Sequence, residues 1–273
     1  MIIPVIAMGM FLLPLYGIHK EEEMKDPRHI IIHIPHDGND FPEELMRSVC
    51  VPREEFLKYH REMRDSGCSS FVPEGLGRNL SLINFDISRL LCDVERFLGP
   101  EEIMEQYGMG YCYERAYDGK RIKKITPELK AATLEYYREH HARLDALARE
   151  YPRVLLIDLH SFSEKILPPG RQTEAPLPDI CIGTDEQYTR ELLADETERI
   201  FRDAGFSVTR NYPYTGTMVP SALLKGETVC DLISVMIEIN KAAYMDNAGG
   251  VYAETQRRIR EAIGDVIRAA QQT

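Results

Sequence analysis

The sequence predicts an α/β fold, and three observations carry that expectation. Ile30-Ile31-Ile32-His33-Ile34, Val154-Leu155-Leu156-Ile157 and Leu232-Ile233-Ser234-Val235-Met236-Ile237 are short apolar runs that read as buried strands. Stretches with apolar residues at helical spacing alternate with them, the longest running from Thr126 to Tyr151. Each run also leads into polar chemistry: Pro35-His36-Asp37-Gly38 follows the first, Asp158-Leu159-His160-Ser161 the second, and Glu238 ends the third. Ligands of open α/β sheets bind at the carboxyl ends of strands, so two imidazoles and a carboxylate stand where a reaction would occur. Strands alternating with helices imply a central, mostly parallel or mixed sheet flanked by helices.

The elements follow in order. A strand at 30–34 precedes a short helix opening at Pro42 and a longer helical stretch at 53–65, which ends near Asp65-Ser66-Gly67. Leu80–Phe85 and Leu90–Val94 read as two further strands. Residues 99–125 are irregular, with turn signals at Gly108, Gly110 and Asp118-Gly119, and an excursion of that length in a compact enzyme covers or lines a site. Thr126-Pro127-Glu128 then has the form of a helix start: a capping hydroxyl, proline at the first helical position and an acid in the first turn. After the Val154 strand, residues 162–178 hold four prolines and read as a surface loop. A strand at 179–183, a helix at 186–203, a strand at 206–210, a polar loop at 211–217 and the Glu238 strand lead to a closing amphipathic helix at 251–271. Its Val251, Ile259, Ala262, Ile263, Val266 and Ile267 are expected to face inward.

Composition bounds the function. The 273 residues carry a net charge of −11, which argues against nonspecific nucleic-acid binding while leaving room for an anionic substrate held by a local arginine. Six scattered cysteines with no C-x-x-C pair read as reduced thiols in a cytoplasmic protein. The first 17 residues are almost wholly apolar, but no Lys or Arg precedes them and no small-x-small cleavage site follows. The run is short for a membrane span and holds two prolines. The expectation is an extension over residues 1–25 lying outside the fold, with translation starting at Met24, and a single catalytic domain over 26–273.

Two imidazoles and a carboxylate at strand ends point to a metal-dependent hydrolase. Several stretches in this order resemble one family: Ile34-Pro35-His36-Asp37-Gly38, Ser88-Arg89-Leu90, Asp93-Val94-Glu95-Arg96-Phe97, Gly108-Met109-Gly110, His140-His141-Ala142-Arg143-Leu144, Ile157-Asp158-Leu159-His160-Ser161-Phe162, Asp179–Thr184 and Ile237-Glu238-Ile239-Asn240. Together, over residues 29–246, they resemble the N-formylglutamate amidohydrolases, relatives of the zinc carboxypeptidases and of aspartoacylase. The resemblance implies a single-domain phosphorylase/hydrolase-like α/β fold and hydrolysis of N-formyl-L-glutamate, a small anionic N-acyl amino acid, to formate and glutamate. A zinc carboxypeptidase-like peptidase and a non-catalytic homologue binding acidic amino-acid derivatives are the alternatives.

Amide hydrolysis at neutral pH needs an activated water, a polarised carbonyl and a protonated leaving amine, and one Zn2+ ion with three protein ligands supplies the first. His36 and His160 are the expected imidazole ligands. Carboxypeptidase sites use His-x-x-Glu, but Asn39 stands three residues after His36; the family resemblance implies Asp65, which follows the second helical stretch, as the third ligand, with Asp37 and Asp40 as alternatives. Glu238 is the candidate general base and acid, and Asp158 a partner orienting an imidazole. Arg96 is the candidate carboxylate anchor. Arg89 is the candidate stabiliser of the oxyanion. Glu95 stands where the related aspartoacylase run has asparagine, beside the anchoring arginine. It is grouped with Tyr214 and His141 as substrate-binding, and His140 as a pocket-lining residue.

Overall fold

The computed structural model describes residues 26–75, 77, 79–166, 176–246 and 248–272, so the expectation for residues 1–25 lies outside the described residues. Its strands are β1 (His29–Ile34), β2 (Leu80–Asn84), β3 (Arg153–Phe162), β4 (Ile180–Gly183), β5 (Val208–Arg210) and β6 (Asp231–Asn240). Its helices are α1 (Glu43–Met46), α2 (Arg53–Met63), α3 (Pro127–Glu150), α4 (Glu191–Asp203), α5 (Ser221–Leu224), α6 (Lys241–Tyr244) and α7 (Ala253–Ala270). The strands form one six-stranded sheet in the order β2-β1-β3-β6-β4-β5. Neighbours run parallel except β4 and β6, which are antiparallel, so the sheet is mixed.

The apolar runs are continuous because both faces of the sheet are covered. Alternate residues of a strand point to opposite faces. Ile30, Ile32, Ile34, Leu155, Ile157, Leu159, Val235 and Ile237 pack in one cluster with Ile200 and Phe201 of α4 and Ile259, Ile263 and Val266 of α7. Ile31, Val154, Leu156 and Leu232 pack instead with Leu144 of α3. At about 25 cal/mol per Å2 of apolar surface, these covered faces supply the main driving force for the fold. The expected helix start is present: the Thr126 side chain accepts from the Leu129 amide at 3.2 Å, and Pro127 opens α3.

Four expectations change. Leu90–Val94 is not a strand. Leu91 and Cys92 turn back to the Ser88 carbonyl, and the segment is apolar because it is buried in a separate core. That core also holds Leu45, Phe56, Tyr113 and Tyr137. Strands β3 and β6 extend past the apolar runs, so His160 and Glu238 lie within strands. Helix α4 begins at Glu191, because the Asp185 carboxylate accepts from the amides of Gln187 and Tyr188 and forms a turn first. Val251 does not face inward: it is 44% exposed and precedes α7, in a bridge to Met245. No helix among the described residues is long and apolar enough to cross a membrane.

Candidate metal and active site

Strand register assembles the site. His33 of β1 is the Cα partner of Asp158 on β3, and His160 of β3 is the partner of Glu238 on β6. Asp158 and His160 are two residues apart and share a face. All four side chains therefore stand on the α3 side, at the carboxyl ends of three parallel strands, and all are buried.

The loop after β1 brings in His36, and the turn after α2 brings in Asp65. A Cβ at Gly38 would come within 2.5 Å of backbone atoms of Asp86 and Ile87, so only glycine lets the His36 loop lie this close to the chain beyond β2. Asp37 ties loop and turn together: its carboxylate accepts from the Gly67 amide at 3.0 Å and the Ser69 amide at 2.9 Å, and pairs with Arg64 at 2.8 Å. Gly67 takes φ 87°, the left-handed region where glycine is unstrained. The Asp65 amide donates to the His36 carbonyl at 3.0 Å, which sets the two side chains side by side. Of the three candidate carboxylates, Asp65 joins the cluster with His36 and His160. Asp37 is occupied by the turn, and Asp40 is exposed.

Hydrogen bonding fixes which imidazole nitrogens are free. His36 Nε2 lies 2.9 Å from Asp93 Oδ1. Burial alone would push the Asp93 carboxyl up, but Arg96, His36 and Arg89 hold it well below its usual range. An ionised carboxylate only accepts, so Nε2 carries the hydrogen. His36 Nδ1 is then a buried lone pair with no hydrogen-bond partner, facing Asp65 Oδ2 at 3.6 Å. His160 Nε2 likewise faces Asp158 Oδ1 and Glu95 Oε1, each at 3.1 Å, so the hydrogen a cation would displace from this ring is the one Nδ1 shares with Asp65 Oδ2 at 3.0 Å. Three potential ligand atoms thus converge.

The donor set fits a tetrahedral metal ion. Bonds of about 2.0–2.1 Å set ligand atoms about 3.3–3.4 Å apart, and the separations of 3.0 and 3.6 Å from Asp65 to the two imidazoles bracket that value. Asp65, Asp93, Asp158 and Glu95 each contact one or both imidazoles, while Arg89 pairs with Asp65 and Asp93 and Arg96 with Asp93, so the cluster is rich in the carboxylates that suit a divalent cation. Burial alone would push His160 down, yet Glu95, Asp158 and Asp65 raise it well above its ordinary range, so the cluster attracts positive charge at this ring.

The other predicted residues fall around this centre. Glu238 is buried, its Oε2 has no hydrogen-bond partner, and burial lifts its carboxyl to about 8. Arg89 spans the cluster, with Nη2 3.0 Å from Asp93 Oδ2 and Nη1 3.5 Å from Asp65 Oδ1. Arg96 lies against Asp93 at 3.5 Å and Tyr113 Oη at 3.3 Å. Glu95 meets the imidazoles themselves, with Oε2 3.9 Å from His36 Nδ1. The half-buried Tyr214 side chain donates from its hydroxyl to the Ile166 carbonyl at 2.8 Å, and its hydroxyl is raised by desolvation and by the nearby Glu238 and Asp65 charges. Both ring nitrogens of His141 are engaged, Nε2 with the Val94 carbonyl at 2.8 Å and Nδ1 with Ser221 Oγ at 3.4 Å. His141 therefore holds the backbone just before Glu95. Sequence reasoning gave no role to Asp93, Tyr113 or His33. Asp93 was visible in the Asp-x-Glu-Arg run. Tyr113, which donates to Asp93 Oδ2 at 2.7 Å, comes from the irregular 99–125 excursion, where no periodicity points to it.

The chain matches the family model described as N-formylglutamate amidohydrolase over residues 28–245. Its fold is similar to the crystal structure of N-formylglutamate amidohydrolase from Ralstonia eutropha JMP134, with a TM-score of 0.71, 21% identity, and coverage of 91% of this chain and 96% of that one. It is also similar to the crystal structure of a gene product from Agrobacterium tumefaciens, with a TM-score of 0.60, 19% identity, and coverage of 90% of both chains. No curated protein matches the chain. The structural likenesses establish the mixed-sheet fold, and the family match spans most of the sequence, so the chain belongs to the N-formylglutamate amidohydrolase family, a family of amide-cleaving hydrolases.

Proposed function

We propose that the protein is a zinc-dependent amidohydrolase that cleaves N-formyl-L-glutamate, or a similar N-acyl derivative of an acidic amino acid, to the free acid and amine. The observation that carries this reading is the convergence of His36 Nδ1, His160 Nδ1 and Asp65 Oδ2 beside the buried, unpartnered Oε2 of Glu238. These three side chains would hold the ion, which when bound would lower the pKa of a water to about 7 and polarise the amide carbonyl.

The chain's own groups supply the rest. Glu238 takes the proton from the attacking water as the C–O bond forms, and returns it to the amine nitrogen as the C–N bond breaks. Burial raises its carboxyl, which favours holding the proton it has taken until the amine leaves. Arg89, next to Asp65, is the donor toward the oxyanion. Arg96 offers its guanidinium to a substrate carboxylate, with Asp93 and Tyr113 holding it in place. Six unpaired cysteines support a reducing compartment, the cytoplasm.

The test is metal analysis of the purified protein together with turnover of N-formyl-L-glutamate, N-acetyl-L-glutamate, N-acetyl-L-aspartate and N-acetyl-L-leucine. About one zinc per chain and release of an acidic amino acid are expected. A chain that binds no zinc, or one that cleaves the leucine derivative as fast as the acidic ones, would overturn the reading.

A further inference from the structure

Behind His160 the structure holds a chain of polar contacts that substrate chemistry does not require. His33 Nδ1 lies 2.8 Å from Asp158 Oδ1, and His33 Nε2 lies 2.8 Å from His140 Nε2. Asp158 Oδ1 also faces His160 Nε2 at 3.1 Å, and Asp158 Oδ2 accepts from the Met218 amide at 2.8 Å. His33, His140 and Asp158 are all buried. They come from β1, α3 and β3, so three separate elements converge behind one imidazole.

We propose that His33 and His140 are positioning residues for the metal centre, fixing through Asp158 the tautomer in which His160 Nδ1 is a ligand. The argument is a count of hydrogens. Two imidazole nitrogens 2.8 Å apart share one hydrogen, supplied by either ring. If His33 supplies it from Nε2 as a neutral ring, its Nδ1 lone pair faces an Asp158 lone pair at hydrogen-bond distance. His140 is then left with an N–H at Nδ1, a buried position with no partner. If His140 supplies it, His33 keeps its hydrogen on Nδ1 and donates to Asp158, and only a lone pair is left over at His140 Nδ1. Buried orphan N–H groups are rarer than under-used acceptors, so the second arrangement wins.

Asp158 is then an acceptor on every side. Facing such an acceptor, His160 keeps its own hydrogen on Nε2, so Nδ1, 3.0 Å from Asp65 Oδ2, is the nitrogen left for the ion. The order of donation is His140 to His33, His33 to Asp158, and His160 to Asp158. His33, Glu95 and Asp158 also form a cluster that could hold a cation, but the 2.8 Å contact is shorter than the ligand spacing of about 3.3–3.4 Å around a tetrahedral ion. A hydrogen bond accounts for it better than a second metal.

This inference rests on His160 being a ligand, and the experiment separates the two. In full-length protein carrying 15N-histidine, long-range 1H–15N correlation spectra at neutral pH should find His33 as the Nδ1–H tautomer. An Nε2–H or doubly protonated His33 overturns the inference whether or not zinc binds. Zinc affinity is then measured by competition with a chromophoric chelator. No zinc binding by the unaltered chain overturns the ligand assignment under Proposed function, and the His33 spectrum still decides this one. Given binding, His33→Phe and His140→Leu should weaken zinc about 10- to 100-fold, the usual effect of losing a group that orients a ligand. His33→Asn and His140→Gln keep an N–H in the donating position and should stay within about threefold. Equal affinity across all four folded variants overturns the positioning role.

Discussion

His36 Nε2 donates to Asp93 Oδ1 at 2.9 Å, while Nδ1 of the same ring meets no hydrogen-bond partner. One contact thus orients the ring, fixes its tautomer and frees the nitrogen that faces Asp65. Asp93 also accepts from Tyr113 Oη and Arg89 Nη2, so the carboxylate that aims His36 also anchors an arginine of the pocket.

Removing the ligand and removing its orienting partner should therefore differ in degree. His36→Ala, His160→Ala and Asp65→Ala should each lose most bound zinc and activity together. Asp93→Asn keeps the shape but removes the charge that draws the Nε2 hydrogen, and should weaken zinc about 10- to 100-fold. Equilibrium dialysis against buffered zinc distinguishes the two classes. Full zinc occupancy in His36→Ala or His160→Ala would sink the ligand assignment.

His60 makes stability depend on pH at a point away from the metal cluster. It is buried between Ser88 Oγ at 2.9 Å and Asn39 Oδ1 at 3.0 Å. Burial, helped by the Arg64, Arg61 and Lys241 charges, lowers it from 6.5 to about 4. The unfolded chain therefore binds a proton between those values that the folded chain refuses. The stability is fully present above about pH 6.5, is lost as pH falls toward 4, and changes no further below that. A shift of this size corresponds to about 3 kcal/mol at most. In urea titrations, His60→Gln should reduce the loss between pH 7 and pH 4.5 relative to the unaltered chain. An identical loss in both would show that His60 is not the group responsible.

Glu238→Gln tests the proton carrier. The amide fills the same space and leaves the three ligands in place, so zinc content should be unchanged. It cannot take the water proton, so kcat should fall about 100- to 10,000-fold. Near-normal kcat in a zinc-loaded variant would assign the base elsewhere.

The main strands and the residues at their ends were legible because a run buried on both faces has a distinctive composition, and β1, β3 and β6 carry His36, His160 and Glu238 on or just after such runs. The same signal misled at Leu90–Val94. Burial in a second core yields the same apolar composition as a strand, and nothing local separates the two. Asp65 was named from family resemblance, not from spacing, since its place beside His36 depends on the Gly67 turn and on Asp37. The His33–His140 contact joins residues 107 positions apart, and each alone looks like an ordinary buried histidine. Such pairs are created by tertiary packing, so periodicity carries no trace of them.

Arg96 is the proposed anchor for the substrate carboxylate. Its guanidinium is held at 3.3 Å from Tyr113 Oη and 3.5 Å from Asp93 Oδ2, yet the side chain keeps more exposure than Arg89, 22% against 15%. Arg89 has the tighter contacts to Asp93 and Asp65, which suits a fixed donor, and the more open Arg96 suits a ligand carboxylate. Most of that grip is present before the transition state, so Arg96→Ala should act mainly on KM. A charge-assisted hydrogen bond contributes about 1.5–3 kcal/mol, which corresponds to a rise in KM of roughly 10- to 100-fold for acidic substrates. Neutral N-acyl amino acids, which lack the side-chain carboxylate, should lose less, so the preference for acidic ones narrows. Arg96→Lys should recover little, because an ammonium cannot form the planar two-pronged contact. Tyr113→Phe removes a neighbour of Arg96 while leaving the guanidinium in place, and should raise KM by less than Arg96→Ala does. Unchanged preference in Arg96→Ala would leave Arg96 as a support for Asp93 and move the anchor to Arg89. Arg121, which pairs with Glu114 at 2.7 Å and is more than half exposed, is the weaker candidate.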